Sequence, residues 1–245
     1  MSLQVNGEVI RARLARVREK INRALERSGR EADRVRLLVA SKYYALEQIS
    51  ALAEAGVDLV GENRAEELVG KQELFGDRFE WHFIGHVQRR KAKVVVPRVT
   101  LIHSVDSVRL VEELAVRAPE GGVEVLLQVN IGGEESRYGT SEDEVESLLE
   151  AAAATEGGVM ARGFMTLAPL VEDPEEVRHV FAKLRSIRDR LRKSWSPHFD
   201  LSELSMGMSG DYEVAVEEGA TLVRIGRMLI EEDEPVEPVR RKDGS

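Results

Sequence analysis

Lys42 is the residue whose type and position point most directly to covalent chemistry. It follows the apolar run LLVAS at residues 37–41, which has the composition of a buried strand. On position alone, a solvated lysine at a strand end is the favoured interpretation. Desolvation or a neighbouring cation can instead lower the pKa of such a lysine, and the neutral amine then forms a Schiff base with a carbonyl compound. Lys42 is therefore a candidate nucleophile.

Two glycine-containing segments near the end of the sequence indicate an anion site. The first is LSMGMSGD at residues 204–211, between a short strand and the following helix. The second is VRIGR at residues 223–227, at the end of the last predicted strand. Such loops present backbone N–H groups, and in barrels the loops after strands seven and eight often bind phosphate. A phosphorylated aldehyde would bridge this site and Lys42, because strands eight and one are neighbours in a closed barrel.

Other catalytic motifs are absent from the sequence. No GxxxxGK[ST], HExxH or GxSxG motif occurs, and no GxGxxG follows a strand. The sequence has no cysteine, which excludes disulfides, thiolate metal sites and cysteine nucleophiles. His82 and His86 have the spacing of a metal-binding pair, yet no carboxylate or thiolate accompanies them. We therefore expect no metal.

Eight short apolar runs rich in Val, Ile and Leu alternate with helical stretches. The runs are continuous, which is typical of parallel strands buried on both faces. They lie at residues 36–41, 57–63, 80–85, 100–106, 123–130, 160–168, 203–207 and 221–226. The helical stretches lie at residues 46–55, 64–74, 87–95, 107–117, 141–155, 174–193 and 211–219. This order predicts an α/β protein with a single (β/α)8 TIM-type barrel, and a doubly wound sheet is the alternative.

An extra N-terminal helix is predicted over residues 8–28, ending near Gly29. Apolar residues recur there at helical spacing: Ile10, Leu14, Val17, Ile21 and Leu25. No helix follows the eighth predicted strand, so we expect the N-terminal helix to take the place of the barrel's eighth outer helix. We predict that residues 1–230 form the barrel and that residues 231–245 are a disordered tail with acidic and basic residues.

Composition narrows the classes of function. The 245 residues are 42% hydrophobic, enough for a core, and the net charge of −9 is opposite to that of most nucleic-acid-binding proteins. Residues 11–30 carry eight Lys or Arg against two Glu, and a solvated helix face is favoured there over a nucleic-acid or membrane patch. No apolar run approaches the ~18 residues of a membrane span, and we expect a cytoplasmic protein.

From about residue 5 to 230 the sequence resembles the pyridoxal phosphate (PLP) homeostasis proteins of the YggS/PROSC type. The motifs that carry the resemblance are VASK (39–42), GENRAEE (61–67), WHFIGHVQ (81–88), HSVDS (103–107), QVNIGGEESRYG (128–139), GFMTLAP (163–169), LSMGMSGD (204–211) and GATLVRIG (219–226). The resemblance implies the barrel of fold-type III PLP proteins, like the N-terminal domain of alanine racemase. It also implies PLP held as an internal aldimine on Lys42.

The resemblance further implies the surroundings of the cofactor. It places Asn63 beside PLP, and it places Ser205, Ser209 and the backbone of Gly226 and its neighbour around the phosphate. Arg224 would face the pyridine nitrogen. An arginine there disfavours protonation of the ring, and an unprotonated ring is a weaker electron sink.

The sequence departs from the pattern of this family at three places. SKYYA replaces the commoner SKTKP, Arg227 stands where a small hydroxyl residue is usual, and Ile230 and Glu231 replace Phe and Gly. The departures affect the side-chain part of the phosphate site, whereas its backbone N–H groups do not depend on residue 227. Arg227 could supply charge to the phosphate.

The main hypothesis is a PLP-binding protein that buffers or delivers the cofactor and influences vitamin B6 and amino-acid balance. Its partners would be PLP and PLP-dependent apoenzymes as recipients, and it would be a monomer or weak dimer. It would be a binding protein rather than an efficient enzyme. A Schiff-base aldolase is disfavoured because the sixth strand lacks lysine, and a plain scaffold would require Lys42, Ser209 and Arg224 to coincide by accident.

A fold-type III amino-acid racemase is the alternative function. Racemisation needs Lys42 on one face of the α-carbon and a second base on the other. The candidates are Tyr43, Tyr44, Tyr138 and Tyr212. In the racemases that this barrel resembles, the second base comes from a separate β-domain, and this sequence ends about 20 residues after the eighth strand. We therefore expect weak turnover.

Overall fold

The computed structural model describes residues 6–132 and 138–230, in which strands and helices alternate. The strands are β1 (Arg36–Ala40), β2 (Leu59–Glu62), β3 (Glu80–Phe83), β4 (Leu101–Val105), β5 (Val123–Gln128), β6 (Val159–Met165), β7 (Glu203–Ser205) and β8 (Leu222–Ile225). The helices are α1 (Gly7–Arg27), α2 (Ile49–Glu54), α3 (Ala65–Phe75), α4 (Ala92–Val95), α5 (Val108–Arg117), α6 (Val145–Ala153), α7 (Arg178–Trp195) and α8 (Tyr212–Glu217). Each predicted strand and helix has a counterpart, with shifts at its ends, and the helix predicted at residues 87–95 is formed only in part. The predicted disordered tail, with Glu231, lies outside the described residues.

The strands pair in parallel and in sequence order, and β8 pairs with β1 to close the barrel. Leu37 lies opposite Val223 and Leu38 lies opposite Arg224 in this last pairing. Closure confirms the predicted (β/α)8 barrel and excludes the doubly wound sheet, whose edge strands would be unpaired. It also brings the C-terminal ends of β1 and β8 side by side.

Side chains on each strand alternate between the barrel interior and the surrounding helices. On β8, Val223 and Ile225 join the large apolar core under the helices, whereas Leu222 points inward. Two small apolar clusters lie in the interior: Leu38, Leu59 and Leu222 form one, and Leu101, Leu126 and Met165 form the other. Buried polar side chains from β3, β4, β7 and β8 share this interior.

Helix α1 packs between α2 and α8 and against the turn Arg227–Leu229 that follows β8. This is the place of the eighth outer helix, as predicted. The Asn6 side chain caps the helix by accepting from the Val9 backbone N–H at 3.0 Å. The helix buries the predicted apolar stripe, and the chain turns away at Gly29, whose φ is +67°.

The basic residues of α1 include several that bind within the molecule. Arg27 forms ion pairs with Glu217 at 2.6 Å and Glu213 at 3.3 Å, both on α8. Lys20 lies 3.5 Å from Glu213, and Arg13 donates to the Leu229 carbonyl at 3.0 Å. Several basic residues that favoured a solvated helix face therefore attach α1 to the rest of the barrel.

The helix predicted at residues 87–95 is replaced by short pieces. A 3-10 turn at Arg89–Lys91 leads into α4, and a second turn covers Val96–Arg98. Pro97 stands at the start of the second turn, where its missing backbone N–H is not needed. None of the helices in residues 6–132 and 138–230 combines the length and apolar character needed to cross a membrane.

Candidate functional site

Lys42 lies at the C-terminal mouth of the barrel, on the 3-10 turn Ser41–Tyr43 that directly follows β1. Its side chain is exposed, whereas the preceding Ser41 is buried. Lys42 Nζ lies 4.8 Å from the centroid of the Tyr43 ring, within the range of a cation–π contact. The amine is therefore accessible to a small carbonyl compound at the end of the barrel that carries active sites in this fold.

A buried ion pair behind Lys42 holds the turn that carries it. Lys71 on α3 contacts Glu62 at the end of β2, and the two residues are 4% and 0% exposed. Lys71 Nζ also donates to the Ser41 carbonyl at 2.8 Å, and the Ser41 hydroxyl donates to Glu62 Oε1 at 2.7 Å. Sequence reasoning missed this pair, although Glu62 lies inside the motif GENRAEE, because only the fold brings Lys71 to it.

Arg224 on β8 lies inside the barrel with 5% of its surface exposed. Its Nη1 donates to Ser205 Oγ at 2.6 Å, and its Nη2 donates to the Thr166 carbonyl at 3.0 Å. Burial lowers the pKa of Arg224 to about 10, against the opposing effect of the Asp211 carboxylate, so the guanidinium stays charged at neutral pH. The structure joins Arg224 and Ser205, and the contact of Ser205 with a phosphate stays a prediction.

The segment between β7 and α8 forms a tight loop at the same mouth. Gly207 has a φ of +91°, and a Cβ added there would lie 2.6 Å from the Cβ of Ala215, so the loop requires glycine. Asp211 Oδ1 closes the loop by accepting from the Met208 backbone N–H at 2.6 Å. Ser209 lies half-buried within this loop. Its backbone therefore has a defined shape before any ligand binds.

Tyr43 connects Lys42 to Gly226 and Arg227. Its ring packs so closely on Gly226 that an added Cβ there would lie 2.5 Å from Cδ2 of the ring. The guanidinium carbon of Arg227 lies 5.6 Å from the centroid of the same ring. Two of the positions at which the sequence departs from the pattern that it resembles are thus in contact. Both stand with Lys42 where β1 and β8 end.

Asn63 supplies an unsatisfied polar group at this end of the barrel. Its side-chain oxygen is buried without a hydrogen-bond partner among residues 6–132 and 138–230. Leaving such a group unpaired costs roughly 1–3 kcal/mol. Gly85 packs against the backbone of Asn63, since an added Cβ at Gly85 would lie 2.3 Å from the backbone carbonyl oxygen of Asn63. Asn63 therefore fits a ligand that offers a hydrogen-bond donor, as the hydroxyl of a hydroxypyridine ring does.

The four tyrosines considered as second bases lie in different surroundings. Tyr44 and Tyr212 are buried, and their hydroxyls lack partners in the described part of the chain. Burial raises the pKa of both, that of Tyr212 to about 12. Tyr138 is exposed and stacks on His86 with ring centroids 4.0 Å apart. Tyr43 lies beside Lys42 but leaves the same strand end. Among the contacts of the described residues, none of the four tyrosines therefore faces Lys42 from the opposite side of a bound ligand, as a second base would.

His82 and His86 do not form a pair. His82 Nε2 lies 2.9 Å from Glu80 Oε1 inside the barrel, whereas His86 lies beyond β3 with its Nδ1 3.5 Å from Asp106 Oδ2. The spacing i, i+4 has no helical meaning here because β3 ends between the two residues. Across residues 6–132 and 138–230, no three or more His, Cys, Asp or Glu side chains are grouped to hold a metal ion.

Comparison with known proteins relates the whole barrel to one family. The sequence model described as alanine racemase, N-terminal domain, matches residues 12–232. A protein of Aquifex aeolicus (strain VF5) named pyridoxal phosphate homeostasis protein is 43% identical over 223 residues. The match covers 90% of this chain and 96% of that protein.

Solved structures agree with the sequence comparison. PipY of Synechococcus elongatus PCC7942 is 33% identical, and the match covers 91% of this chain and 100% of PipY. The TM-score is 0.79 for PipY solved without PLP and 0.78 for PipY with PLP bound. The similarity therefore extends over both the fold and the segments that form the barrel mouth.

Proposed function

The chain belongs to the pyridoxal phosphate homeostasis proteins, and we propose that it binds PLP and serves vitamin B6 and amino-acid balance in the cytoplasm. PLP bound in the related PipY supports this proposal. When bound, PLP supplies an aldehyde that condenses reversibly with an amine. The observation that carries the proposal is the cluster of Lys42, Tyr43, Gly226 and Arg227 at the barrel mouth.

Lys42 is the proposed site of covalent attachment, because it is exposed at the mouth and the buried pair Glu62–Lys71 holds its turn. Ser209, the backbone N–H groups at Gly226 and the Arg227 guanidinium are the proposed phosphate contacts. The backbone groups act as donors whatever side chain follows, and Arg227 adds a charge-assisted contact.

Arg224 and Asn63 are the proposed contacts of the cofactor ring. Arg224 would face the pyridine nitrogen. Ser205, predicted from the resemblance as a phosphate contact, would instead support Arg224 through their 2.6 Å hydrogen bond. The unpaired Asn63 oxygen would accept from the ring hydroxyl. A cation beside the nitrogen disfavours a protonated ring and so weakens it as an electron sink. This limits the chemistry open to the bound cofactor. The chain would act as a carrier, as a monomer or weak dimer that passes PLP to apoenzymes.

Covalent capture tests the attachment site. Borohydride reduction of the protein with PLP, followed by peptide mass analysis, should place the adduct on Lys42. Lys42→Ala should abolish the adduct and the visible absorbance of bound cofactor. Lys93→Ala, which removes another lysine away from this cluster, should leave both unchanged. An adduct on a different lysine in the wild-type protein would refute the assignment.

Proton exchange separates carrier from racemase. Racemisation and α-proton exchange of a panel of amino acids in deuterated water should be absent or very slow for the PLP-loaded protein. The reason is the second base: Tyr43 leaves the same strand end as Lys42, Tyr44 and Tyr212 are buried, and Tyr138 stacks on His86. Turnover at the usual enzyme rate of about 1 to 10³ per second, lost in Lys42→Ala, would establish the racemase instead.

A further inference from the structure

A column of buried polar side chains crosses the barrel interior between its two ends. Glu80 Oε1 lies 2.9 Å from His82 Nε2, and His82 Nδ1 lies 2.9 Å from His103 Nε2. His103 Nδ1 lies 2.9 Å from Ser205 Oγ, which accepts from Arg224 Nη1 at 2.6 Å. The four residues above Glu80 are at most 5% exposed. The column therefore links a carboxylate at the N-terminal end of β3 to the guanidinium proposed to face the cofactor.

The chemistry of the two ends determines the direction of every hydrogen bond between them. A guanidinium only donates and an ionised carboxylate only accepts. The hydrogen bond from His82 and the charge of Arg36, whose Nη2 lies 2.5 Å from Glu80 Oε2, lower the pKa of Glu80, so its carboxylate is ionised at neutral pH. Burial lowers the pKa of both His82 and His103, so each imidazole is neutral and has one donor and one acceptor.

One arrangement of protons satisfies all the links. Arg224 donates to Ser205, the Ser205 hydroxyl donates to His103 Nδ1, His103 Nε2–H donates to His82 Nδ1, and His82 Nε2–H donates to Glu80. The reverse arrangement would place the unprotonated Nε2 of His82 against a carboxylate oxygen. It would also leave the Ser205 hydroxyl hydrogen without an acceptor, because within residues 6–132 and 138–230 this hydroxyl bonds only to Arg224 and His103.

We propose that this column is a hydrogen-bond relay of fixed direction, through which Glu80 orients and polarises the Ser205–Arg224 pair at the other end of the barrel. His82 and His103 are then positioning residues for the cofactor ring. The last link, from Arg224 to the ring, rests on the proposed function. The relay itself does not, because its direction follows from contacts within the chain. The hydrogen bonds of such a relay polarise one another in a low dielectric, so a change of charge at one end affects the hydrogen bonds at the other.

Imidazole nitrogen shifts in the unliganded protein test the direction. In ¹⁵N NMR spectra, His82 and His103 should both be neutral with the proton on Nε2, and His82→Gln and His103→Gln assign the signals. In Glu80→Gln the carboxylate charge is lost while Arg224 and Ser205 still determine the direction. Both histidines should therefore keep the proton on Nε2, and their ¹⁵N shifts should move because the hydrogen bonds are less polarised. Glu124→Gln should leave tautomers and shifts unchanged.

Glu124 is a matched control for Glu80. It pairs with Arg162 as Glu80 pairs with Arg36, each carboxylate side chain is 38% exposed, and each lies near the N-terminal end of its strand. Glu124 has no recorded contact with a histidine in the described residues. A proton on Nδ1 of either relay histidine in the wild-type protein, or unchanged ¹⁵N shifts of both histidines in Glu80→Gln, would overturn the proposal.

Binding of PLP tests the last link. Glu80→Gln should weaken PLP binding about threefold to tenfold and shift the absorbance maximum of the bound cofactor, whereas Glu124→Gln should change neither. Unchanged affinity and absorbance in Glu80→Gln would overturn the coupling to the cofactor. Failure of the wild-type protein to bind PLP would overturn the proposed function and this link with it, while the tautomers would still decide the relay.

Discussion

Glu62 and Lys71 show how a residue that touches no ligand can determine a site. Both charges are buried, so each depends on the other and on Ser41 to offset the loss of water. Their contacts tie together the end of β1, the end of β2 and helix α3. The exposed Lys42 follows this anchored serine directly, so the ion pair reduces the range of positions open to its amine.

Removing one partner of the buried pair should be costly. Lys71→Met should lower the free energy of unfolding by about 3–5 kcal/mol, because it leaves the Glu62 carboxylate buried without its cation. Urea unfolding measures the change. Lys91→Met removes a half-buried lysine that pairs with the exposed Glu66, and its effect should stay within about 1 kcal/mol. Equal effects of the two substitutions would contradict a specific role for the buried pair.

Arg227 should contribute to PLP affinity through its charge. Replacing it with the small hydroxyl residue usual in the family, in Arg227→Thr, should weaken PLP binding about tenfold at low salt, and by less at high salt. Titration of the visible absorbance at two ionic strengths measures this. Arg23→Thr removes an equal charge from α1, where Arg23 pairs with Glu19, and should leave affinity unchanged. A gain in affinity in Arg227→Thr would show that the Tyr43–Arg227 contact obstructs the site.

At the scale of elements, α1 takes the place of an eighth outer helix, because within residues 6–132 and 138–230 only the turn Arg227–Leu229 follows β8. A barrel of eight strands exposes apolar surface wherever an outer helix is missing. The apolar stripe from Ile10 to Leu25 covers that surface between α2 and α8. Ion pairs from Lys20 and Arg27 to α8 help to orient the helix. The turn after β8 carries Arg227, so α1 also supports the proposed phosphate site from outside.

A pair of substitutions on α1 measures this packing. Leu14 is 2% exposed, and Leu14→Ala should lower the free energy of unfolding by about 2–5 kcal/mol through the cavity left behind. Val9 lies on the same helix at 38% exposure, and Val9→Ala should cost under about 0.5 kcal/mol. Thermal or urea unfolding of both variants gives the comparison. A small loss in Leu14→Ala would mean that α1 is a loosely attached extension.

For the molecule as a whole, the barrel interior is unusual in holding two neutral histidines beside two small apolar clusters. Burial outweighs the attraction of Glu80 and keeps His82 uncharged. Folding therefore depends on these rings remaining unprotonated. Burial keeps both imidazoles neutral, which the relay requires, and for the same reason it makes the fold sensitive to acid.

Stability should fall as the pH drops below about 6.5. In the unfolded chain each histidine titrates near its ordinary pKa, whereas burial lowers the folded values, so the unfolded state binds more protons in this range. The slope should approach about 1.4 kcal/mol per pH unit for each histidine. Urea unfolding between pH 8 and 5.5 measures it, and His103→Gln should remove one contribution. Asp106 and Asp211, whose pKa values burial raises, act in the opposite sense at lower pH.

Periodicity and composition alone predicted most of the architecture, because strand burial and helical stripes are local properties of sequence. The eight strands, the covering role of α1 and the place of Lys42 followed from them, and the motifs indicated the family. The helix predicted at residues 87–95 was wrong in its first half, where a 3-10 turn takes its place. The partners of Lys71, the contact between Tyr43 and Arg227 and the column from Glu80 to Arg224 were decided only by the tertiary structure. These contacts join residues far apart in the chain, and their direction depends on burial and on the groups at both ends, which no local pattern records.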